Sequence, residues 1–138
     1  MDQRVDRGGR RGLVRRERHR LRVPYAPLGR GYLTGALSSR EGFDENDFRA
    51  CNPRFTREAM EGNRRIVETV KAVAERLGAT PAQVAIAWTL TQGEHVILIP
   101  GTKKVRRLEE NAAAADLDLR EDVLAELDRI PASVAPRY

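Results

Sequence analysis

A chain of 138 residues with 41% hydrophobic, 33% charged and 5% aromatic content suits one domain with a small core. Its net charge of +5 is uneven: residues 1–22 hold nine Arg against Asp2, Asp6 and Glu17, and the other 116 residues sum to −1. The basic character therefore belongs to a leader, which argues against nucleic-acid binding by the body of the chain. A single cysteine, Cys51, excludes an internal disulfide framework and a multi-cysteine zinc site. No apolar run approaches the roughly 18 residues a membrane helix needs, and no secretory apolar region follows the basic start. A soluble cytoplasmic protein is expected.

Residues 1–22 have few apolar positions and no firm period, so disorder is expected, with a weak helix over 13–21 as the alternative. Val23-Pro-Tyr25 reads as the end of a short strand. Pro27, Gly29, Gly31 and Gly35 punctuate a tight loop, and 36–54 is long, polar and turn-like, as functional or mobile loops are. Ile66, Val67, Val70, Val73, Ala74 and Leu77 recur at helical spacing and predict a helix over 56–77, with Gly78 just past its end. Thr80-Pro-Ala-Gln83 predicts a capping box and a second helix over 81–92, ended by Gly93. Val96–Pro100 reads as a strand buried on both faces. A third helix is predicted over 104–115, with Val105, Leu108, Ala112 and Ala115 along one face. A last one follows over 120–130, with Val123, Leu124, Leu127 and Ile130 inward. This alternation is the α/β pattern of parallel sheets and barrels. Two strands do not complete a parallel sheet, so the pattern predicts a piece of something larger or a chain that assembles with itself.

Two stretches could carry chemistry. Gly29-Arg-Gly31-Tyr-Leu-Thr-Gly35 follows a strand but is one residue too long for the dinucleotide fingerprint. It is either a loop whose backbone closely approaches a pyrophosphate or plain turn punctuation. Pro100-Gly-Thr-Lys-Lys-Val-Arg-Arg-Leu-Glu-Glu-Asn111 spans a strand end and a helix start, where free N–H groups favour an anion. Lys103, Arg107, Glu110 and Asn111 share a helix face that suits an adenosine 2′-phosphate, or else forms a solvated face with Arg107 paired to Glu110 or Asn111. His19 and His95 have no nucleophile or ligand at useful spacing and read as surface positions. Trp88 reads as core packing, Cys51 as a plain thiol, and Asp44, Glu45 and Asp47 as a solvated acidic turn rather than a metal loop.

The two stretches belong to one pattern. Tyr25-Ala-Pro-Leu-Gly-Arg-Gly-Tyr-Leu-Thr-Gly35 resembles the loop after the seventh barrel strand of aldo-keto reductases. Phe43-Asp-Glu-Asn-Asp-Phe-Arg49 and Asn52-Pro-Arg-Phe55 resemble the following loop in the family's bacterial branch, and Thr80-Pro-Ala-Gln-Val-Ala-Ile-Ala-Trp88 its next helix. Ile99-Pro-Gly-Thr-Lys103 and Arg107-Leu-Glu-Glu-Asn111 resemble its strand-eight 2′-phosphate and adenine site.

Over about 23–130, the resemblance implies the C-terminal part of a (β/α)8 barrel, strands seven and eight with their helices. It implies an NADPH-dependent reductase of small-molecule aldehydes and ketones. Carried over by position, Tyr25 would stack on the nicotinamide, and Pro27, Leu28, Gly29 and Arg30 would line the pyrophosphate loop. Gly101, Thr102 and Lys103 would hold the 2′-phosphate, Arg107 would pair with it or stack on adenine, and Glu110 and Asn111 would bind the adenine edge. Barrel phosphate sites gather after strands seven and eight, in agreement.

Ala26 stands where the family usually has Ser and loses a hydroxyl contact. The family's catalytic Asp, Tyr, Lys and His lie in a first half that nothing here matches. Tyr32 and Tyr138 are not in matching positions, so no catalytic or metal-binding residue is assigned. The expectation is an inactive chain, from a truncated or frameshifted gene, that binds NADPH or self-associates through exposed barrel edges. Nucleic-acid binding through residues 1–22 ranks last.

Overall fold

Four α-helices dominate the computed structural model, which describes residues 21–37, 43–44 and 46–136. The expected disorder or weak helix of the leader falls outside these residues except at Leu21 and Arg22, as do His19, Glu45 and Tyr138.

Helix α1 spans Arg57–Leu77. The Thr56 hydroxyl accepts from the Ala59 N–H at 3.1 Å and so satisfies one of the helix's first donors. Gly78 ends it at φ +61°. A side chain there would meet nothing within 4 Å, so the dihedral alone calls for glycine. Helix α2, Pro81–Leu90, starts with the predicted capping box: the Thr80 hydroxyl accepts from the Gln83 N–H (3.2 Å), and the Gln83 side chain accepts from the Thr80 N–H (2.9 Å). It ends two residues earlier than its periodicity predicts, because the Gln92 N–H reaches only the Thr89 carbonyl (3.3 Å), a tighter turn. Helix α3 is Val105–Ala113, continued by a 3-10 turn over Ala114–Asp116, and helix α4 is Glu121–Asp128.

The core lies among α1, α2 and α4. Val70, Val73 and Ala74 meet Val84 and Ala87, and Leu119, Val123 and Leu127 close the cluster, with Leu77, Trp88, Leu124 and Ile130 around it. Val73 and Val84 are fully buried, each contributing about 1.5–3 kcal/mol of apolar burial. The periodic positions of the first and last helices therefore point inward as predicted.

One expectation is corrected. The short strands at 23–25 and 96–100 are not formed among the described residues. They reduce to one parallel bridge between Arg22 and Val96, in which the Arg22 N–H donates to the His95 carbonyl (2.8 Å) and the Ile97 N–H to the Arg22 carbonyl (2.9 Å). The pairing is parallel, as the α/β pattern implies. No further strand among the described residues pairs with either edge, so the ladder does not propagate.

The stripe predicted along one face of α3 is turned outward: Val105, Leu108, Ala112 and Ala115 are exposed, while Asn111 and Ala114 are buried. The helical period is right, but nothing among the described residues covers the stripe. Leu108, Ala112 and Ala115 face an open groove whose far wall is Val96–Gly101.

Candidate functional site

The glycine-punctuated loop is shaped by left-handed residues. Ala26, Gly29, Arg30, Gly31 and Gly35 have φ of +53°, +57°, +58°, +92° and +72°. Ala26 and Arg30 carry side chains in this conformation, which costs about 1–2 kcal/mol each. Local bonds hold the turn: the Gly29 N–H donates to the Ala26 carbonyl (2.9 Å), and the Gly31 and Leu33 N–H groups to Leu28 (3.0 and 3.2 Å). Pro27 and Leu28 sit half-buried in its first bend. The guanidinium of Arg30 lies 5.7 Å from the Tyr25 ring centre and 5.4 Å from that of Phe48, within cation–π range. Tyr25 is 60% exposed.

The loop is anchored to α1 by Tyr32, whose hydroxyl donates to the Met60 carbonyl at 2.6 Å and whose ring meets Phe55 edge-on at 6.2 Å. Burial is the main cause that raises the Tyr32 pKa above its ordinary value. A phenol held in this way is no candidate for a tyrosine acid, which needs a lowered pKa.

At the start of α3, Gly101, Thr102 and Lys103 are exposed. The Thr102 hydroxyl accepts from the Lys104 N–H at 3.2 Å. No side chain caps the helix at Lys104, and its first turn holds no acid. The positive helix end is thus open to an anion, and the donor set of Gly101, Thr102, Lys103 and Arg107 fits a phosphate group.

Further along α3, Arg107 donates to Glu110 at 2.6 Å. The other Glu110 oxygen accepts from the Thr80 hydroxyl at 2.8 Å. Burial alone would raise the Glu110 pKa, but the hydrogen bonds from Thr80 and Arg107 and the charges of Arg107 and Arg106 outweigh it and hold the carboxyl below its usual value. Asn111 is buried.

The structure does not gather the two halves into one cavity. Pro27, Gly29 and Arg30 line a cavity of about 610 Å³ shared with α1, α2 and residues 127–133. Gly101 and Asn111 line a separate open groove of about 650 Å³ between α2, α3 and 96–101. What links them is the Arg22–Val96 bridge, from which both segments run in the same direction.

Among the described residues no group of three His, Cys, Asp or Glu side chains could hold a metal. Asp44 and Asp47 serve as local turn acceptors, from Asn46 and Arg49. Cys51 is exposed and free. Trp88 packs against the core and donates its indole N–H to Asp128 at 2.8 Å. His95 is half-buried rather than a free surface position.

Sequence reasoning missed two site features. Thr80 is legible as a helix cap but not as the partner of Glu110, thirty residues away. Arg54 reads only as part of a polar loop, yet its Nε is buried.

No helix of the described residues is long and apolar enough to cross a membrane. A sequence profile of the Aldo/keto reductase family matches residues 21–132. The chain is 44% identical over 108 residues to "Aldo-keto reductase str7" of Strobilurus tenacellus, covering 78% of this chain and 32% of that protein. It is 42% identical over 112 residues to "Aldo-keto reductase yakc [NADP(+)]" of Schizosaccharomyces pombe, covering 81% and 33%. It is 42% identical over 105 residues to "Probable aldo-keto reductase 1" of Glycine max, covering 76% and 30%. These relatives come from two fungi and a plant, and the chain spans about a third of their length. With the loop, the helix start and the profile in agreement over most of its length, the chain belongs to the aldo-keto reductase family.

Proposed function

We propose that this chain is the cofactor-binding segment of a cytoplasmic NADPH-dependent aldo-keto reductase, built on the seventh and eighth strands of a (β/α)8 barrel and their helices. The observation that carries the reading is the start of α3. There, an uncapped helix end, exposed Gly101, Thr102 and Lys103, and an Arg107 braced by Glu110 stand together. One relative's name includes NADP(+).

In this reading Tyr25 stacks on the nicotinamide, and Pro27, Leu28, Gly29 and Arg30 follow the diphosphate. Gly101, Thr102 and Lys103 hold the 2′-phosphate, while Arg107, Glu110 and Asn111 contact the adenosine. The cofactor supplies a hydride to the carbonyl carbon of an aldehyde or ketone. The chain's own residues bind and orient; among the described residues none is assigned to protonate the carbonyl oxygen. The Tyr32 hydroxyl is already committed to the Met60 carbonyl. The isolated chain is therefore a binder without turnover.

Calorimetric titration of the full chain with NADPH and with NADH tests the proposal. Micromolar NADPH binding with weaker NADH binding supports it. Equal affinity for the two removes the 2′-phosphate site, and no binding removes the cofactor reading.

A second reading has its own support. Val23, Tyr25, Ile97 and Ile99 flank the Arg22–Val96 bridge and are 52%, 60%, 40% and 70% exposed. Bare apolar edges of this kind favour association with a second copy or with a chain that supplies further strands. Sedimentation of the purified chain reads it directly, and a monomer at high concentration would remove self-association.

A further inference from the structure

The cavity of about 610 Å³ has a chemistry that the cofactor reading does not use. Ile66 and Val70 from α1, Val84 from α2, and Leu127 and Ile130 near the chain end give it carbon walls. Its volume is in the range of small-molecule sites. One side is formed by residues 130–133, which are pinned next door, where both polar atoms of the Asn63 side chain bond to the Val134 backbone (3.3 and 2.8 Å).

Asn63 itself lines the cavity, so its amide is already spent there. Two other polar lining side chains are spent in the same way. The Tyr32 hydroxyl donates to the Met60 carbonyl (2.6 Å) and the Thr89 hydroxyl to the Ala85 carbonyl (2.7 Å). Three formally charged side chains border the cavity: Arg30, Arg54 and Asp128. Nη2 of Arg30 and Nε of Arg54 are buried in protein and do not open on it. The Arg30 guanidinium lies against the rings of Tyr25 and Phe48, and Asp128 is exposed and accepts from the Trp88 indole N–H.

A charged ligand would give up its hydration here against carbon walls, at the cost of an unpaired ion. Water fares little better, because a buried water needs about two to four polar partners. An uncharged apolar molecule loses no hydrogen bond on entry, and it removes apolar surface from water on itself and on the walls. We propose that this cavity is a binding site for an uncharged, apolar small molecule, held between α1, α2 and residues 127–133. The assignment does not depend on the cofactor reading, since the ligand carries no nucleotide.

Titration of the full chain with 2-methylnaphthalene, 2-naphthoate and 2-naphthylmethylammonium, followed by methyl NMR, holds the ring body fixed and varies the charge. The expected result is saturable binding of 2-methylnaphthalene that shifts the methyl signals of Ile66, Val70, Val84 and Leu127, with both ions at least tenfold weaker. Ile66→Trp, which fills the cavity, should weaken binding at least tenfold. Leu108→Ser, in the open groove beside α3, should leave it unchanged. Equal or tighter binding of either ion overturns the site, as does the absence of saturable shifts. Shifts confined to Ile97, Ile99 and Leu108 overturn it too, by moving the ligand to the open groove. Affinity retained in Ile66→Trp does the same, and the wild-type shifts decide even if that variant does not fold.

Discussion

Thr80 and Glu110 meet through a 2.8 Å hydrogen bond, from the hydroxyl that caps α2 to a carboxylate of α3. The one hydroxyl accepts from the Gln83 N–H and donates to Glu110, so the start of one helix is fastened to the middle of the next. Glu110 in turn holds Arg107 with its second oxygen. Thr80→Val removes the cap and the Glu110 bond together and should lower stability by about 1–2 kcal/mol in urea unfolding. Thr80→Ser should stay close to wild type. NMR titration of Glu110 should show its pKa rising in Thr80→Val. The folded-state pKa of Glu110 is depressed, so its contribution is present above the ordinary carboxylate pKa and is lost as the pH falls through the folded value. The part of the Thr80→Val loss that comes through Glu110 should therefore shrink in acid, and an unchanged Glu110 titration would break the link.

Arg107 is half exposed, at 53% for its side chain, and its pair with Glu110 alone adds little stability. Its value in the proposed site lies in charge-assisted bonds to a 2′-phosphate, which are worth about 1.5–3 kcal/mol where water is excluded and less here. Arg107→Ala should weaken NADPH binding by about tenfold and leave NADH binding nearly unchanged. A parallel loss for both cofactors would assign Arg107 to the adenine instead.

Asp47 is held by a fork from Arg49, with Nε to Oδ1 at 2.9 Å and Nη2 to Oδ2 at 2.6 Å. The side-chain and backbone hydrogen bonds from Arg49 lower its pKa to about 2, from an ordinary 3.8. Because the folded value is the lower one, the bond supports the turn at Phe48–Cys51 above pH 3.8 and is lost as the pH falls toward 2. Carboxyl NMR should place the Asp47 midpoint near 2. In Arg49→Met the midpoint should return toward 3.8.

Asn63 is buried and treats the chain end like a neighbouring strand. Its amide donates to the Val134 carbonyl (3.3 Å), and its oxygen accepts from the Val134 N–H (2.8 Å). Gly62 beside it leaves room, since a side chain there would come within 2.9 Å of the Val134 side chain. Asn63→Leu should cost about 1–2 kcal/mol and speed proteolytic cleavage after residue 130. Protection that matches wild type would show that the tail is held by other contacts.

The helices were legible because each is announced locally. Thr56 and Thr80 accept from the N–H groups three residues on, Gly78 takes the left-handed turn that follows a helix, and valines at 3–4 spacing in α1 face one side. The motifs of the glycine loop and of the α3 start were equally legible, since they are contiguous runs that resemble known ones. The strands were not. An isolated Val96–Ile99 has strand character only when neighbours pair with both edges, and the described residues offer one bridge. The side to which the α3 stripe turns was not legible either: periodicity tells which residues align, not whether anything covers them.

What the sequence by itself determined is the family, the helix positions and the two glycine-bearing turns, because propensity, capping and motif all act over a few residues. Only the tertiary structure decided that Thr80 braces Glu110, that the Arg54 Nε is buried, and that the two turns line separate cavities. Each of those depends on distances between segments tens of residues apart, which are set by how α1, α2 and α4 close on one another and by what leaves α3 uncovered.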